Sequence, residues 1–209
     1  MAADSRKPFP EERFQGAPAA LIVVDMQVDF VEPGAPVMAD GGLAIVAGIN
    51  RLISVARRSG TPVIFTHEIH RADGSDYGIE LEYDPRHCEE GTEGAGLLPA
   101  LDVAEGDLHV YKRRYDAFFG TDLDLLLRSL TVKNLVFCGV DTDICVLGSV
   151  VSARNHDYRV AVVEDCCAGS SMEAHRAALV CMGTVFGYVV RSTDADRMFP
   201  GFEAAGPHS

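Results

Sequence analysis

The stretch NLVFCGVDTDICV, residues 134–146, joins an apolar run to two aspartates and a cysteine. The run 134–140 is apolar and partly β-branched, which predicts a strand that is buried on both faces. Thr142 or Asp143 can cap a helix over residues 142–156, so that Cys145 falls in the first helical turn. A buried strand followed directly by a helix is the repeating unit of a parallel α/β sheet, and here it carries a thiol at the carboxyl end of the strand.

The rest of the chain repeats this alternation of strand and helix. The pattern predicts further strands at 19–26, 61–66, 107–112, 158–165 and 185–190, and helices at 43–59, 121–130 and 171–183. Alternating apolar strands and helices predict an α/β fold, a single three-layer αβα domain with a six-stranded parallel sheet of Rossmann-like type. We expect a flexible N-terminal arm over 1–18, the domain itself over 19–192 and a C-terminal tail over 193–209.

Composition argues against several classes of function. The 209 residues carry a formal net charge of −13, and they show no basic stripe of the kind that binds nucleic acid. No apolar run reaches the roughly 18 residues of a membrane span, and the N-terminus lacks the apolar segment of a signal peptide. We therefore expect a cytoplasmic protein. The six cysteines include no CxxC pair, so we interpret them as reduced thiols, most of them buried.

Three reactive side chains lie at or shortly after the ends of separate predicted strands: Asp25, Lys112 and Cys145. The carboxyl ends of parallel strands share one edge of the sheet, where α/β proteins bind their ligands. Helix amides and a nearby lysine are expected to lower the pKa of the Cys145 thiol and to favour the nucleophilic thiolate. The alternative for each residue is structural: a core cysteine, a capping aspartate and a solvated lysine.

Three motifs resemble those of the isochorismatase-like hydrolases, a superfamily that includes nicotinamidases and other cysteine amidases. They are ALIVVDMQVDF (20–30), YKRRYDAFFGTDLDLLLRS (111–129) and VFCGVDTDICV (136–146), in the family's order. The resemblance implies a six-stranded parallel sheet and a catalytic triad of Asp25, Lys112 and Cys145. It also implies a cis peptide at Val140–Asp141 and an oxyanion hole formed by the backbone N–H groups of Asp141 and Cys145.

The resemblance further implies an activity. Isochorismatases proper cleave a vinyl ether and lack a cysteine at this position, so Cys145 argues for amide hydrolysis through a thioester. We therefore expect a cysteine amidohydrolase that acts on a small amide or carbamoyl/ureido compound and releases ammonia. The alternatives are a metal-assisted nicotinamidase and a non-catalytic binding member of the fold. The family often forms homodimers or homotetramers, and we expect such an oligomer with no nucleic-acid or membrane partner.

Two segments resemble the metal-binding part of nicotinamidases: HEIH (67–70) and DPRHCEEGTEGAGLLPAL (84–101). The resemblance places Glu68, His70 and His87 as candidate ligands for Zn or Fe, although no cofactor is required by the expected chemistry. The chain departs from the family here, because Glu68 stands at an aspartate position and the chain contains no tryptophan. The alternative is that these histidines contact substrate or only form hydrogen bonds.

Other segments resemble a different branch of the family. EPGAP (32–36) and HRADGSD (70–76) are similar to N-carbamoylsarcosine amidase, and KRRYDAFFGTDL (112–123) is similar to ureidoacrylate and biuret hydrolases. In that branch Arg71 or Arg113 would pair with a substrate carboxylate. Phe30, Tyr115 and Phe118 are expected to wall the substrate pocket, with a core role as the alternative for each.

Overall fold

The computed structural model describes residues 8–200, and these form a parallel sheet covered by helices on both faces. The six strands are β1 Ala19–Val24, β2 Val63–Glu68, β3 Leu108–Lys112, β4 Asn134–Gly139, β5 Arg159–Cys167 and β6 Tyr188–Val190. Their order across the sheet is β3-β2-β1-β4-β5-β6, and every pairing is parallel. The predicted fold class is confirmed.

Seven helices connect and cover the strands in the described part of the chain. They are α1 Glu11–Gln15, α2 Val28–Val31, α3 Gly42–Arg58, α4 Leu123–Ser129, α5 Leu147–Asn155, α6 Met172–Cys181 and α7 Ala195–Met198. The sheet core is strongly apolar: all six residues of β1 are buried, as are all six of β4. None of the helices within residues 8–200 is long and apolar enough to cross a membrane.

The observed bounds of the last two strands, β5 and β6, differ from the predicted ones. A single π-helical turn, Met182–Phe186, extends α6, so β6 begins at Tyr188 rather than at residue 185. Before α6, strand β5 extends to Cys167, two residues beyond the predicted end at residue 165. Apolar residues such as Val185 and Phe186 fit a buried strand and a packed helical turn equally well, which is why the pattern alone did not separate them.

The segment before β1 is packed rather than loose, contrary to the expected flexible arm over 1–18. Phe14, in α1, is fully buried. The side-chain amide of Asn134 donates to the backbone carbonyls of Arg13, Phe14 and Ala17 at 3.1, 3.1 and 3.2 Å. One buried aromatic ring and one buried amide therefore hold residues 8–18 against the sheet, while residues 1–7 lie outside the described part.

The expected C-terminal tail over 193–209 is likewise packed where it is described. Helix α7 buries Met198, and Phe199 directly after it is also fully buried. Residues 201–209 lie outside the described part of the chain.

Strand register aligns the ends of β1 with β4 and of β2 with β3. Val24 pairs with Gly139 across β1 and β4, and Glu68 pairs with Lys112 across β2 and β3. Gly139 has φ +112°, and a Cβ at this position would clash with the backbone oxygen of Val24. Only glycine allows β4 to approach β1 so closely here. The chain segments that follow β1 and β4 are thereby brought to the same edge as the last residues of β2 and β3.

Candidate active site

Asp25 is the first residue after β1, and it is held in a left-handed backbone conformation with φ +47°. Its carboxylate Oδ1 accepts a hydrogen bond from the Thr66 hydroxyl at 2.6 Å. The backbone N–H of Asp25 donates to the oxygen of that hydroxyl, Thr66 Oγ1, at 3.1 Å. Burial raises the pKa of Asp25, assisted by Glu68 and opposed by Lys112. A carboxylate with a raised pKa is a stronger proton acceptor than an exposed one.

Lys112 ends β3 and is fully buried at the centre of the site. Its Nζ lies 2.7 Å from Asp25 Oδ2, 2.5 Å from Glu68 Oε2 and 3.6 Å from Cys145 Sγ. Burial alone would lower the pKa of Lys112, but Asp25, Cys145 and Glu68 outweigh it and raise the pKa well above its ordinary value. Lys112 is therefore a permanent cation at neutral pH, and it binds the two carboxylates and the sulfur together.

Cys145 lies in a single π-helical turn, Thr142–Val146, which leads into α5. It is almost fully buried, and its Sγ is 3.8 Å from Glu68 Oε2. The expected lowering of its pKa is wrong: burial raises the pKa well above the ordinary value, and Lys112 only partly opposes this. The resting form is a neutral thiol, so the site needs a base to produce the nucleophile.

Asp141 precedes that turn, and the peptide bond that joins it to Val140 is cis. The Asp141 carbonyl accepts the N–H groups of Ile144 and Val146 at 3.1 and 3.0 Å. Between these donors, the Cys145 N–H has no acceptor outside its own turn in the described part of the chain, and the Asp141 N–H has none there either. Of the two amides that the resemblance assigns to an oxyanion hole, the Asp141 N–H is thus free to bind a ligand oxygen, and the Cys145 N–H is bound to nothing beyond its own turn.

A second cluster adjoins Lys112 and consists of Glu68, His70, Glu80 and His87, all buried. Glu68 Oε1 lies 3.3 Å from His70 Nε2 and 3.2 Å from His87 Nε2. Glu80 Oε1 lies 3.6 Å from His87 Nε2, and Glu80 Oε2 lies 3.8 Å from His70 Nε2. Glu68 therefore belongs to both groups, since its other oxygen contacts Lys112.

The chemistry of this cluster fits a divalent metal ion. One ligand atom from each residue lies within 4.8 Å of the others, and two imidazoles with two carboxylates suit Zn or Fe. Glu80 Oε2 is buried without a hydrogen-bond partner among residues 8–200, so this oxygen has a lone pair with which it could coordinate a cation. The Nδ1 of His87 lies 2.8 Å from the Pro85 carbonyl, which orients Nε2 towards the cluster.

Sequence reasoning missed Glu80. It lies in a short 3₁₀ turn, Gly78–Glu82, inside the long loop between β2 and β3. Its neighbours Ile79 and Leu81 are exposed while the Glu80 carboxylate points inward, the reverse of the usual distribution. No spacing rule marks such a residue, and its only sequence signal is an acid between two apolar residues in a loop rich in histidine and glycine.

The aromatic residues expected around the pocket divide into two groups. The ring of Phe30 lies 5.4 Å from that of His87, and the pKa of Tyr115 is raised to about 12 by burial and by Glu80 and Glu68, which places both residues beside the site. Phe118 does not belong there. Its ring stacks on His156 at 5.2 Å, at the far end of α5 from Cys145. Phe118 instead fills the gap between α5 and the start of β5.

The expected carboxylate-binding arginines do not contact the site. Arg113 donates to the Ile69 carbonyl at 2.6 Å and to the Glu90 carboxylate at 2.7 Å, so its guanidinium is already occupied. Arg71 is exposed, and none of the hydrogen bonds or ion pairs of Asp25, Lys112 and Cys145 involves it.

A cavity of about 820 Å³ lies at the opposite edge of the sheet, near the amino ends of the strands. Its lining includes Pro18, Thr61 and Val132, and it includes none of the three reactive side chains. The buried cation, thiol and carboxylates all lie at the carboxyl edge, which is where ligands bind in this fold class.

The fold and site define a class: an α/β protein with a buried thiol, lysine and carboxylate at the carboxyl edge of a parallel sheet. The chain belongs to the isochorismatase family, because the family model for the isochorismatase domain matches residues 19–194.

Individual relatives agree with this assignment. A probable inactive nicotinamidase of Arabidopsis thaliana is 35% identical, with 79% of this chain and 88% of that protein covered. Maleamate amidohydrolase of Pseudomonas putida is 32% identical, with 86% of each chain covered.

Solved structures give the same result. An isochorismatase family protein from Desulfovibrio vulgaris superposes with a TM-score of 0.81 at 34% identity, covering 86% of this chain and 97% of that one. A pyrazinamidase of Pyrococcus horikoshii, solved in complex with zinc, gives a TM-score of 0.77 at 31% identity, covering 83% and 98%. The resemblance found in the sequence is thereby confirmed.

Proposed function

We propose that the chain is a cysteine amidohydrolase that cleaves a small amide or carbamoyl/ureido compound with Cys145 as the nucleophile. One observation supports this most strongly: Lys112 Nζ lies 3.6 Å from Cys145 Sγ and 2.7 Å from Asp25, with all three side chains buried. A structural cysteine has no need of a buried cation and a carboxylate with raised pKa beside it. The relatives named amidohydrolases support the same assignment.

In the first half of the reaction, Asp25 removes the proton of the Cys145 thiol. The raised pKa of Asp25 makes it a competent base, and Lys112 stabilises the thiolate as it forms. The thiolate attacks the substrate carbonyl, and the N–H groups of Asp141 and Cys145 stabilise the oxyanion. Asp25, now protonated, gives its proton to the leaving nitrogen, so that ammonia departs and a thioester to Cys145 remains.

In the second half, water replaces ammonia. Asp25 is again a carboxylate and takes a proton from a water molecule that attacks the thioester carbonyl. The thioester bond breaks, the acid product departs and the proton returns to the sulfur. The net reaction consumes one amide and one water, and it releases one acid and one ammonia.

A metal ion is not needed for these steps, but the cluster can hold one. Glu68, His70, Glu80 and His87 would bind Zn or Fe, which would act as a Lewis acid or orient a substrate heteroatom when bound. Because Glu68 also contacts Lys112 at 2.5 Å, Glu68 holds the lysine in place whether or not metal is bound.

The test is ammonia release from a panel of nicotinamide, maleamate, ureidoacrylate, biuret and N-carbamoyl amino acids. We expect Cys145→Ala to abolish release from the best substrate, and Cys181→Ala, which changes the exposed cysteine, to retain it. Full activity of Cys145→Ala would refute the mechanism. No release from any compound by the wild-type protein would favour the non-catalytic alternative.

A metal-assisted nicotinamidase is the second candidate, and the four-residue cluster favours it. The pyrazinamidase that superposes with a TM-score of 0.77 was solved with zinc. Elemental analysis of protein purified without a histidine tag separates the two: about one metal ion per chain, lost in Glu80→Ala, supports this candidate, and metal-free active protein excludes it. The cytoplasmic location and the homodimer or homotetramer stay predictions.

A further inference from the structure

The Asp141 side chain has no role in the chemistry proposed above, yet it is buried at the start of the turn that carries Cys145. The residue is 6% exposed, and its carboxylate Oδ1 is buried without a hydrogen-bond partner among residues 8–200. The proposed mechanism uses only the backbone of Asp141. Its carbonyl accepts two N–H groups of the turn that contains Cys145, and its own N–H is free to bind the oxyanion. A buried polar atom without a partner is unfavourable by about 1–3 kcal/mol, so such an atom beside a reactive thiol points to a ligand.

The surroundings of Asp141 are acidic. Burial raises its pKa to about 7, and the neighbouring carboxylates of Asp143, Asp25, Asp84 and Glu68 raise it in the same direction. The cation of the site is Lys112, and it already contacts both Asp25 and Glu68. A ligand beside Asp141 therefore meets a hydrogen-bond acceptor in a negative field.

The two arginines that directly follow Lys112 are already paired. Arg113 is occupied by Ile69 and Glu90, as described above. Arg114 donates to two backbone carbonyls, at 2.6 and 2.5 Å. A substrate carboxylate beside Asp141 would thus find Lys112, Arg113 and Arg114 already paired with other groups, which makes its burial there unfavourable.

We propose that Asp141 is a specificity-determining residue that accepts a hydrogen bond from a substrate N–H and excludes substrates that carry a carboxylate. The substrate class is then an uncharged or cationic primary amide or urea, and not an N-carbamoyl amino acid or an amic acid. This inference rests on the proposed cysteine amidohydrolase function of the same site. It assigns a role to a buried carboxylate that the general mechanism leaves unused.

Two alkylating reagents of nearly equal size test this without knowledge of the substrate. Iodoacetamide carries an uncharged amide and iodoacetate carries a carboxylate, and both alkylate thiols. Rates at Cys145 and at the exposed Cys181 are measured on the same protein at pH 8 by peptide mass spectrometry. The readout is the iodoacetamide-to-iodoacetate rate ratio at Cys145 divided by that at Cys181, which cancels the intrinsic difference between the reagents.

We expect this ratio to exceed about 10 in the wild-type protein and to fall about tenfold in Asp141→Asn, which removes the charge and preserves the shape. Asp157→Asn, which removes one charge at the far end of α5, is the matched control and should leave the ratio unchanged. Equal ratios in the wild-type protein and Asp141→Asn overturn the proposal, and so does a Cys145 that reacts with neither reagent while Cys181 reacts fully.

A different result would refute the proposed function, namely ammonia release that Cys145→Ala does not change. The alkylation ratio does not depend on turnover, so the two failures are distinguishable. Thermal unfolding of each variant checks its fold, and Asp141→Ala provides a second variant that also lacks the charge. A ratio that falls in both variants supports the charge as the cause.

Discussion

Replacing Lys112 by methionine is the perturbation with the clearest physical consequence. Its ammonium lies 2.7 Å from Asp25 and 2.5 Å from Glu68, in a fully buried position. At an effective dielectric constant of about 20, each attraction is about 6–7 kcal/mol before the cost of desolvation is subtracted. Removing one partner of a buried ion pair leaves an uncompensated charge and costs about 3–5 kcal/mol of folding free energy.

We therefore expect Lys112→Met to lower the free energy of unfolding by about 3–5 kcal/mol at pH 7.5, as measured by urea denaturation. The deficit should shrink towards pH 4.5. Without Lys112, burial raises the pKa of both carboxyls above their unfolded values, so the variant is favoured at pH values where these groups are protonated and loses stability as the pH rises. Lys133→Met, at an exposed lysine, is the control and should change stability by less than about 0.5 kcal/mol. A Lys112→Met protein as stable as the wild type across this range would refute the reasoning.

Three further predictions concern the base, the acid limb of stability and the strand contact. Asp25→Asn should lower kcat/KM by about 10²–10⁴ and slow iodoacetamide labelling of Cys145, since the buried thiol then lacks its proton acceptor; unchanged labelling would exclude Asp25 as the base. The pKa of His67 is lowered to about 4 by burial and a neighbouring histidine, so stability present above pH 6.5 is lost as the pH falls towards 4, by about 2 kcal/mol at pH 5. In urea titrations, His67→Gln should therefore lose less of its free energy of unfolding than the wild type between pH 6.5 and pH 4. An equal loss in the two proteins would contradict this prediction. Gly139→Ala should lower the thermal midpoint by several degrees because its Cβ meets the backbone of β1, and an unchanged midpoint would show that the strands can separate without cost.

The fold and the proximity of Asp25, Lys112 and Cys145 were predictable from the sequence because they follow from one geometric rule. Parallel strands end at a common edge, so residues just after or at the end of separate apolar runs meet there. Asp25, Lys112 and Cys145 each occupy such a position. Glu68 is a fourth residue at this edge, because it pairs with Lys112 across β2 and β3. The apolar runs of β1 and β4 are unambiguous, whereas the run at 185–190 is not, because its first residues belong to a helical turn.

The loops were less predictable because their residues follow no period. Glu80 reaches the histidines from a 3₁₀ turn, and Phe118 turns away from the site to stack on His156. The packed segment around Phe14 was missed because a short helix with one buried ring leaves almost no pattern in the sequence. Each of these outcomes depends on tertiary contacts between segments far apart in the chain.

The direction of the Cys145 pKa shift could not be predicted for a related reason. Sequence indicated a nearby lysine, which lowers a thiol pKa, but the depth of burial is a property of the folded chain. Burial exceeds the effect of Lys112, and the carboxylates of Asp25 and Glu68 act in the same direction as burial. The consequence is a resting thiol rather than a thiolate, and in the proposed mechanism Asp25 is the base that activates it.

The central claim is a covalent bond between Cys145 and the acyl part of the substrate, and quenched-turnover mass spectrometry tests it most directly. Protein is mixed with the best substrate of the ammonia panel, quenched in acid within milliseconds to seconds, and digested. We predict an acyl adduct on the peptide that contains Cys145, which hydroxylamine releases and which Cys145→Ala lacks. Steady ammonia release with no such adduct, retained in Cys145→Ala, would contradict the account.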